Sequence, residues 1–376
     1  MEAVVARWHT LIVVGTRPEL IKLAPVIDEC RRRETLRVTV CFTGQHVELV
    51  APVAEYFGVV PDVCDCMESV DSLATCAARM LAAMDAQLAQ FKPDCVVAQG
   101  DTTSVLCAAL AAFYRRVPLV HVEAGLRTHN LAAPWPEEMN RRVATLAATL
   151  HCAPTPKAVQ NLLAEGVPST DIDLTGNTVI DALLATVRRE RDRSRYWAAK
   201  HAMLGSRRMV LITGHRRENH GDGLRSVCAA IQRLALFYRD VVFLYVLHPN
   251  PQVCGPVTEY LAGRENIYLL RPVRYPEFVW LMDRSTLIIT DSGGVQEEAP
   301  SLAKPVLVTR ESTERPESVA CGIAKLVGTD VDTILNEVSK LLDGNGKLAE
   351  AVKNPYGDGK AAGRVVDAIS RRFSLD

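Results

Sequence analysis

The 376-residue sequence is missing the signatures of most cofactor-driven and nucleophilic enzymes. It has no Gly-x-Gly-x-x-Gly fingerprint for a dinucleotide and no Walker A phosphate loop. It also has no Gly-x-Ser-x-Gly nucleophile elbow and no His-Glu-x-x-His metal helix. Chemistry therefore has to run on acids, bases and the bound substrate itself. No run approaches the ~20 apolar residues of a membrane span. The apolar patch Thr10–Val14 has no basic leader or cleavage site around it, so no signal peptide is expected. A net charge of −1 leaves no electrostatic footprint for nucleic acid, and an anionic ligand must be held by local donors. The eleven cysteines are scattered, odd in number and often set in apolar stretches, as at Cys41, Cys95, Cys107 and Cys228. The closest pair, Cys64 and Cys66, has no second pair at zinc-site spacing. Buried free thiols in a reducing cytoplasm is the reading that follows.

What is present is a long soluble chain, 48% hydrophobic and 23% charged, of a size that calls for two domains. Short β-branched runs alternate with helical stretches. In the first half, strands at Thr10–Val14, Arg37–Phe42, Cys95–Ala98 and Leu119–Val122 lead into polar motifs at Gly15, Thr43, Gln99 and Glu123. The second half repeats the scheme: Met209–Thr213 leads to Gly214-His215-Arg216, Val241–Val246 to His248-Pro249-Asn250, and Ile267–Leu270 to Arg271-Pro272-Val273. This order predicts parallel sheets covered on both faces, with ligands beyond the carboxyl ends of the strands. The expected architecture is α/β, with two Rossmann-like parallel-sheet domains facing across a cleft. The first spans residues 1–176, with a C-terminal helix at 358–376 packing back on it, and the second spans 177–357. The charged stretch Arg188–Lys200 reads as a solvated helix at the junction.

One stretch organises the second half. Asp291-Ser292-Gly293-Gly294-Val295-Gln296-Glu297-Glu298 follows the apolar run Ser285–Thr290. A strand that turns through Ser-Gly-Gly into a helix gathers unpaired N–H groups at the positive end of a dipole, which suits a phosphate. A tight turn with nothing bound is the plainer alternative. In the first half, carboxylates are the clue: Asp101 and Glu123 each sit just past a strand, and Glu137-Glu138 follows the loop Ala133-Pro-Trp-Pro136. Converging acids suit proton transfer. A metal cluster at His121 and Glu123 lacks a second histidine at ligand spacing, and His121 reads better as a core residue. Arg17, Lys22, His215, Arg216 and Arg315 are donors for a phosphate or leaving group. Phe278 and Trp280 suit either a nucleobase or the core of a helix.

Taken together these motifs resemble one family. Gly15-Thr-Arg-Pro-Glu-Leu-Ile-Lys22, Gln99-Gly-Asp-Thr-Thr103, His121-Val-Glu-Ala-Gly-Leu-Arg-Thr128, Pro134-Trp-Pro-Glu-Glu-Met-Asn-Arg141, Thr213-Gly-His-Arg-Arg-Glu-Asn219, Asp291–Glu298, Thr313-Glu-Arg-Pro-Glu317 and Asn354-Pro-Tyr-Gly-Asp-Gly-Lys360 are similar to the non-hydrolysing UDP-N-acetylglucosamine 2-epimerases. The match is in family order and runs from about residue 11 to the end. The resemblance implies a glycosyltransferase-B-like fold and interconversion of UDP-GlcNAc and UDP-ManNAc. The route it implies is elimination of UDP to 2-acetamidoglucal and re-addition with protonation on the other face, with no cofactor or metal and no nucleic-acid or membrane partner. It also implies a homodimer. Carried over by motif, Asp101, Glu123 and Glu137 are acid/base candidates, and His215 steadies the leaving UDP. Arg17 and Lys22 bind substrate, while Ser292, Gly293 and Gly294 take the phosphates. Glu298 takes the ribose hydroxyls, Arg315 supports the site, and Phe278 and Val273 lie beside the uracil. Which carboxylate is acid and which is base stays open. Val273, Val47 and the stretch Met67–Asp71 depart from the family pattern. The last two lie where relatives bind a second, activating UDP-GlcNAc, and argue against such activation here. A glycosyltransferase on the same fold, a non-catalytic nucleotide-sugar sensor, and an epimerase of a related UDP-2-acetamido sugar are the other readings. The intact acidic set disfavours the first two, and Arg17-Pro18-Glu19 with Thr313-Glu-Arg-Pro316 disfavours the third.

Overall fold

The computed structural model describes residues 7–65, 72–344 and 353–375, so Cys66 and the stretch Met67–Asp71 lie outside the described residues. The chain forms two compact units, Met1–Ala182 with Tyr356–Asp376, and Leu183–Pro355. The division falls inside a helix and not just before Asn177.

The first unit runs β1 (Trp8–Val14), α1 (Arg17–Arg32), β2 (Leu36–Phe42), α2 (Val47–Phe57), β3 (Val63–Cys64), α3 (Leu73–Phe91), β4 (Cys95–Gln99) and α4 (Thr103–Tyr114). It continues through β5 (Leu119–Val122), α5 (Glu137–Ala147), β6 (Leu150–Ala153), α6 (Pro156–Ala164) and β7 (Ile172–Leu174) into α7 (Thr178–Asp192). Its seven strands are parallel in the order β3-β2-β1-β4-β5-β6-β7. The order reverses between β1 and β4, and in an open α/β sheet such a switch point opens a crevice at the carboxyl ends of the strands. The central strands are continuous apolar runs because helices cover both faces, as in β4, where all five residues are buried.

The second unit carries α8 (Ser194–Lys200), β8 (Arg208–Thr213), α9 (Asp222–Phe237), β9 (Val241–Val246), α10 (Pro251–Leu261), β10 (Ile267–Leu270), α11 (Tyr275–Arg284) and β11 (Leu287–Thr290). After these come α12 (Gly293–Glu298), β12 (Val306–Val308), α13 (Pro316–Ala320), β13 (Ala324–Leu326) and α14 (Val331–Asp343). Six parallel strands lie in the order β10-β9-β8-β11-β12-β13. The switch point here lies between β8 and β11. Two apolar clusters fill the unit, one around Phe243, Tyr245 and Ile231 and the other around Leu211, Leu244 and Ile288.

The last helix, α15 (Ala361–Phe373), belongs to the first unit. Asp181 accepts from the amides of Ala361 and Ala362 at its start. Asp367 pairs with Arg33, and Phe373 stacks on Trp8 with ring centroids 4.7 Å apart. The stretch Arg188–Lys200 is helical and exposed, as expected, except at two positions: it is the end of α7 followed by α8, and Trp197 is buried and donates from Nε1 to buried Glu190 at 2.8 Å. One large aromatic among the charges is enough to turn a face inward. Among the described residues no helix is long and apolar enough to cross a membrane.

Candidate active site

In the first unit, β1, β4 and β5 deliver their polar ends to the switch point. Glu123, one residue past β5, has φ +65°, a left-handed backbone rare for a residue with a side chain. Its buried carboxylate accepts from Lys22 Nζ of α1, Gln99 Nε2 at the end of β4, and Asn177 Nδ2, the last at 2.9 Å. Asp101 lies two residues past β4 and pairs with the guanidinium of Arg141. Asn140 donates to the Asp101 carbonyl at 2.9 Å, so the first turns of α5 are tied to this loop. Glu137 is one turn before Arg141 on the same helix, half-buried, and has no hydrogen bond or ion pair among the described residues. Its neighbour Glu138 is fully buried and committed elsewhere. It accepts from the amides of Thr128 and His129 and pairs with Arg141 and Arg142. Burial pushes its carboxyl upward, but those amides and Arg141 outweigh it and hold the pKa below the usual carboxylate value. Arg17, at the start of α1, is exposed and has no ion-pair partner among the described residues.

Two further ionisable groups stand behind this edge. His121 is fully buried and donates from Nε2 to the Gly100 carbonyl at 2.7 Å, and burial lowers its pKa to about 4. It is a neutral core residue, as expected. Glu19 is also buried, and it accepts from the amides of Gly15 (2.7 Å) and Thr16 (2.6 Å) and from Thr102 Oγ1 (2.5 Å). Burial raises its pKa to about 7 against those donors.

In the second unit, His215 follows β8 and Asp291 follows β11, one on each side of the switch point. Asp291 is buried. Its carboxylate accepts from the amides of His215 (2.9 Å) and Arg216 (2.9 Å) and from Asn219 Nδ2 (3.3 Å), and His215 Nδ1 lies 3.2 Å from Oδ1. Burial pushes the Asp291 carboxyl up, but the bonds from His215 and Arg216 prevail and hold its pKa below the usual value. Ser292 precedes α12, a helix of six residues that runs directly into the 3-10 turn Ala299–Leu302. The amides of Gly293 and Gly294 open that helix and find no acceptor within it. Arg315 reaches the same turn. Its Nε donates to buried Glu297 at 2.6 Å, and its Cζ would be 3.5 Å from a Cβ at residue 293. Glu298 accepts from Tyr275 Oη at 3.0 Å. Phe278 and Val273 are half-buried and pack against the second unit's core.

Each unit thus gathers its own subset of the predicted residues. At one edge Lys22 is bonded to Glu123, and Asp101 is bonded to Asn140 and Arg141 of the helix that carries Glu137. Ser292, Gly293, Gly294 and Arg315 form another, with His215 beside Asp291. The sequence reading passed over Gln99 and Asn177 as partners of Glu123, Arg141 as partner of Asp101, and Glu19, Asp291 and Tyr275. Arg141 and Asp291 stood inside motifs already singled out. Asn177 lies 54 residues from Glu123 with no local pattern to link them.

Two parallel-sheet α/β domains with polar groups at both switch points define a glycosyltransferase-B-like protein. The family model for UDP-N-acetylglucosamine 2-epimerase matches residues 28–370. The UDP-N-acetylglucosamine 2-epimerase of Escherichia coli K12 is 44% identical over 373 residues, 97% of this chain and 99% of that one. The crystal structure of the Neisseria meningitidis UDP-GlcNAc 2-epimerase bound to UDP-GlcNAc aligns with a TM-score of 0.91 at 41% identity, covering 96% of this chain and 100% of that one. The Methanocaldococcus jannaschii UDP-GlcNAc 2-epimerase, in complex with UDP-GlcNAc and UDP, aligns at 0.82 and 31% identity over 96% of this chain and 99% of that one. The chain belongs to the UDP-N-acetylglucosamine 2-epimerase family.

Proposed function

We propose that the protein interconverts UDP-GlcNAc and UDP-ManNAc by eliminating UDP to 2-acetamidoglucal and re-adding it with protonation on the opposite face of C2. The observation that carries this is Glu123. A carboxylate held in a left-handed backbone by a lysine and two amides, next to a second carboxylate paired with arginine, is arranged for proton transfer and not for packing. The C2 proton has no neighbouring carbonyl to acidify it, so its removal has to be coupled to loss of the diphosphate from C1. Asp101, Glu123 and Glu137 handle the protons, and Arg17 and Lys22 bind the substrate. Ser292 Oγ, the amides of Gly293 and Gly294, and Arg315 hold the diphosphate. His215 supports the departing UDP, Glu298 takes the ribose hydroxyls, and Phe278 with Val273 flanks the uracil. On the same reading the enzyme is a cytoplasmic homodimer, and light scattering at twice the chain mass of 41.2 kDa checks the assembly.

Purified protein incubated with UDP-GlcNAc in D2O and followed by proton NMR tests the reaction. The expected outcome is deuterium at C2 and a growing UDP-ManNAc signal. UDP-GlcNAc that stays protonated at C2 while binding normally would turn the protein into a sensor or a transferase.

A further inference from the structure

The second unit buries a carboxylate that the functional reading leaves without a role. Asp291 is 1% exposed, and among the described residues the donors to its oxygens come from the segment after β8: the amides of His215 and Arg216 and Asn219 Nδ2, with the ring of His215 beside them, its Nδ1 3.2 Å from Oδ1. That segment is fixed from the other side as well, because Asn219 Nδ2 also donates to the Thr309 carbonyl at 2.8 Å. A Cβ at Gly214 would come within 3.1 Å of Tyr245 Oη and 3.5 Å of Asp291 Oδ2, so the backbone lies directly on the carboxylate. The far edge of the imidazole is different. The His215 side chain is 34% exposed, its ring lies over that of His248 at 5.4 Å, and Nε2 has no partner among the described residues.

We propose that Asp291 is the positioning residue for His215: it accepts the Nδ1 proton, fixes ring orientation and tautomer, and leaves Nε2 as the atom that meets the diphosphate. The inference rests on the reading of His215 given above. An ionised carboxylate can only accept, so the nitrogen facing it must carry hydrogen. With Nδ1 committed, any proton gained by the ring goes to Nε2, and the imidazolium so formed is stabilised by the adjacent anion. A cation then faces the negative charge that develops on the leaving diphosphate, where electrostatic stabilisation acts most strongly. A plain loop brace would need only the backbone amides; the ring contact is the part that packing does not require.

The test combines Asp291→Asn with His215→Gln in the full-length protein. Asparagine keeps an oxygen for the loop amides but can turn an N–H toward Nδ1, which moves the ring proton to Nε2. In protein labelled with 15N-histidine, with the His215 signals assigned by their loss in His215→Gln, the wild type should show a protonated Nδ1. Asp291→Asn should show an Nδ1 with lone-pair character. Epimerisation should fall by about 10²- to 10⁴-fold in kcat, with KM within about threefold. In the His215→Gln background, Asp291→Asn should change kcat by less than about twofold, because the carboxylate acts through the ring. The same tautomer in wild type and variant, or an equal loss of kcat in both backgrounds, would overturn the proposal and reduce Asp291 to a brace. The NMR signals need no turnover. A wild-type protein without epimerase activity would therefore defeat the functional reading, while the tautomer alone decided the positioning.

Discussion

The two units share a topology and carry different groups at its switch point. Both put a switch point in the middle of a parallel sheet, between β1 and β4 in one and between β8 and β11 in the other. At the first, the chain supplies carboxylates and locks two of them to cations or amides, Glu123 to Lys22, Gln99 and Asn177, and Asp101 to Arg141. At the second it supplies backbone amides, hydroxyl and arginine, and keeps carboxylates buried underneath, at Asp291 and at Glu297, which pairs with Arg315. On the proposed reading the first edge moves protons and the second holds an anion. The glycines follow the same division. A Cβ at Gly15 would lie 1.9 Å from Ser104 Oγ and 2.9 Å from Thr43 Oγ1, so packing alone demands glycine. A Cβ at Gly294 would meet only Ser292 Oγ at 3.9 Å, so nothing in the protein itself forbids a side chain there.

Four measurements bear on this contrast. The largest effect is expected from Asp101→Asn and Glu123→Gln, each lowering kcat by about 10²- to 10⁴-fold with far-UV circular dichroism unchanged. Near-normal turnover in both would remove the proton-transfer role from the first edge. Next is acid. His121 and His151 sit side by side on β5 and β6, and burial lowers both pKa values to about 4, from 6.5 for a free side chain. Their contribution is fully present above pH 6.5 and is lost as pH falls toward 4, because the unfolded chain takes up protons that the folded one refuses. The loss is about 3 kcal/mol for each ring. Hydrogen exchange at pH 7 and pH 5 should show the first unit losing protection; loss confined to the second would break the comparison. Third, Gly15→Ala should destabilise the first unit by about 1–3 kcal/mol in urea unfolding. The smallest effect belongs to Gly294→Ala, expected to weaken UDP binding about tenfold in calorimetry with the melting temperature unmoved. A variant that melts early would show that Gly294 serves packing after all.

The scaffold was legible because central parallel strands must be apolar on both faces. Val241–Val246, Ile267–Leu270, Leu287–Thr290 and Leu119–Val122 stand where the apolar runs put them. The polar motifs were legible for the complementary reason, since an abrupt change from β-branched residues to Gly, Asp and Glu marks the carboxyl end of such a strand. The partners of those motifs were not. Lys22 and Glu123 are 101 residues apart, and only the pairing of β1 with β4 and β4 with β5 brings them together. Glu137 and Glu138 are adjacent and identical in chemistry, yet one is buried under two arginines and two amides while the other has no partner among the described residues. Helical phase separates them, and a phase error of one residue exchanges their roles. The charge run at Arg188–Lys200 is solvated as its composition says, and Trp197 with its partner Glu190 turns inward because of its apolar area.

Glu19 gives the first unit a second proton demand, opposite in sign to that of its histidines. Its carboxyl titrates at about 7 when folded and at 4.5 as a free side chain, so the stability it contributes is complete below pH 4.5 and disappears as the pH rises through 7. The two histidines gain across nearly the same interval, and being two they prevail until they are exhausted near pH 6.5. Between there and pH 7 Glu19 is still losing its proton, and it works against the fold. The combined contribution of these three groups therefore crests just on the acid side of neutrality. Replacing Glu19 with glutamine removes that loss and should flatten the stability profile just below neutral pH.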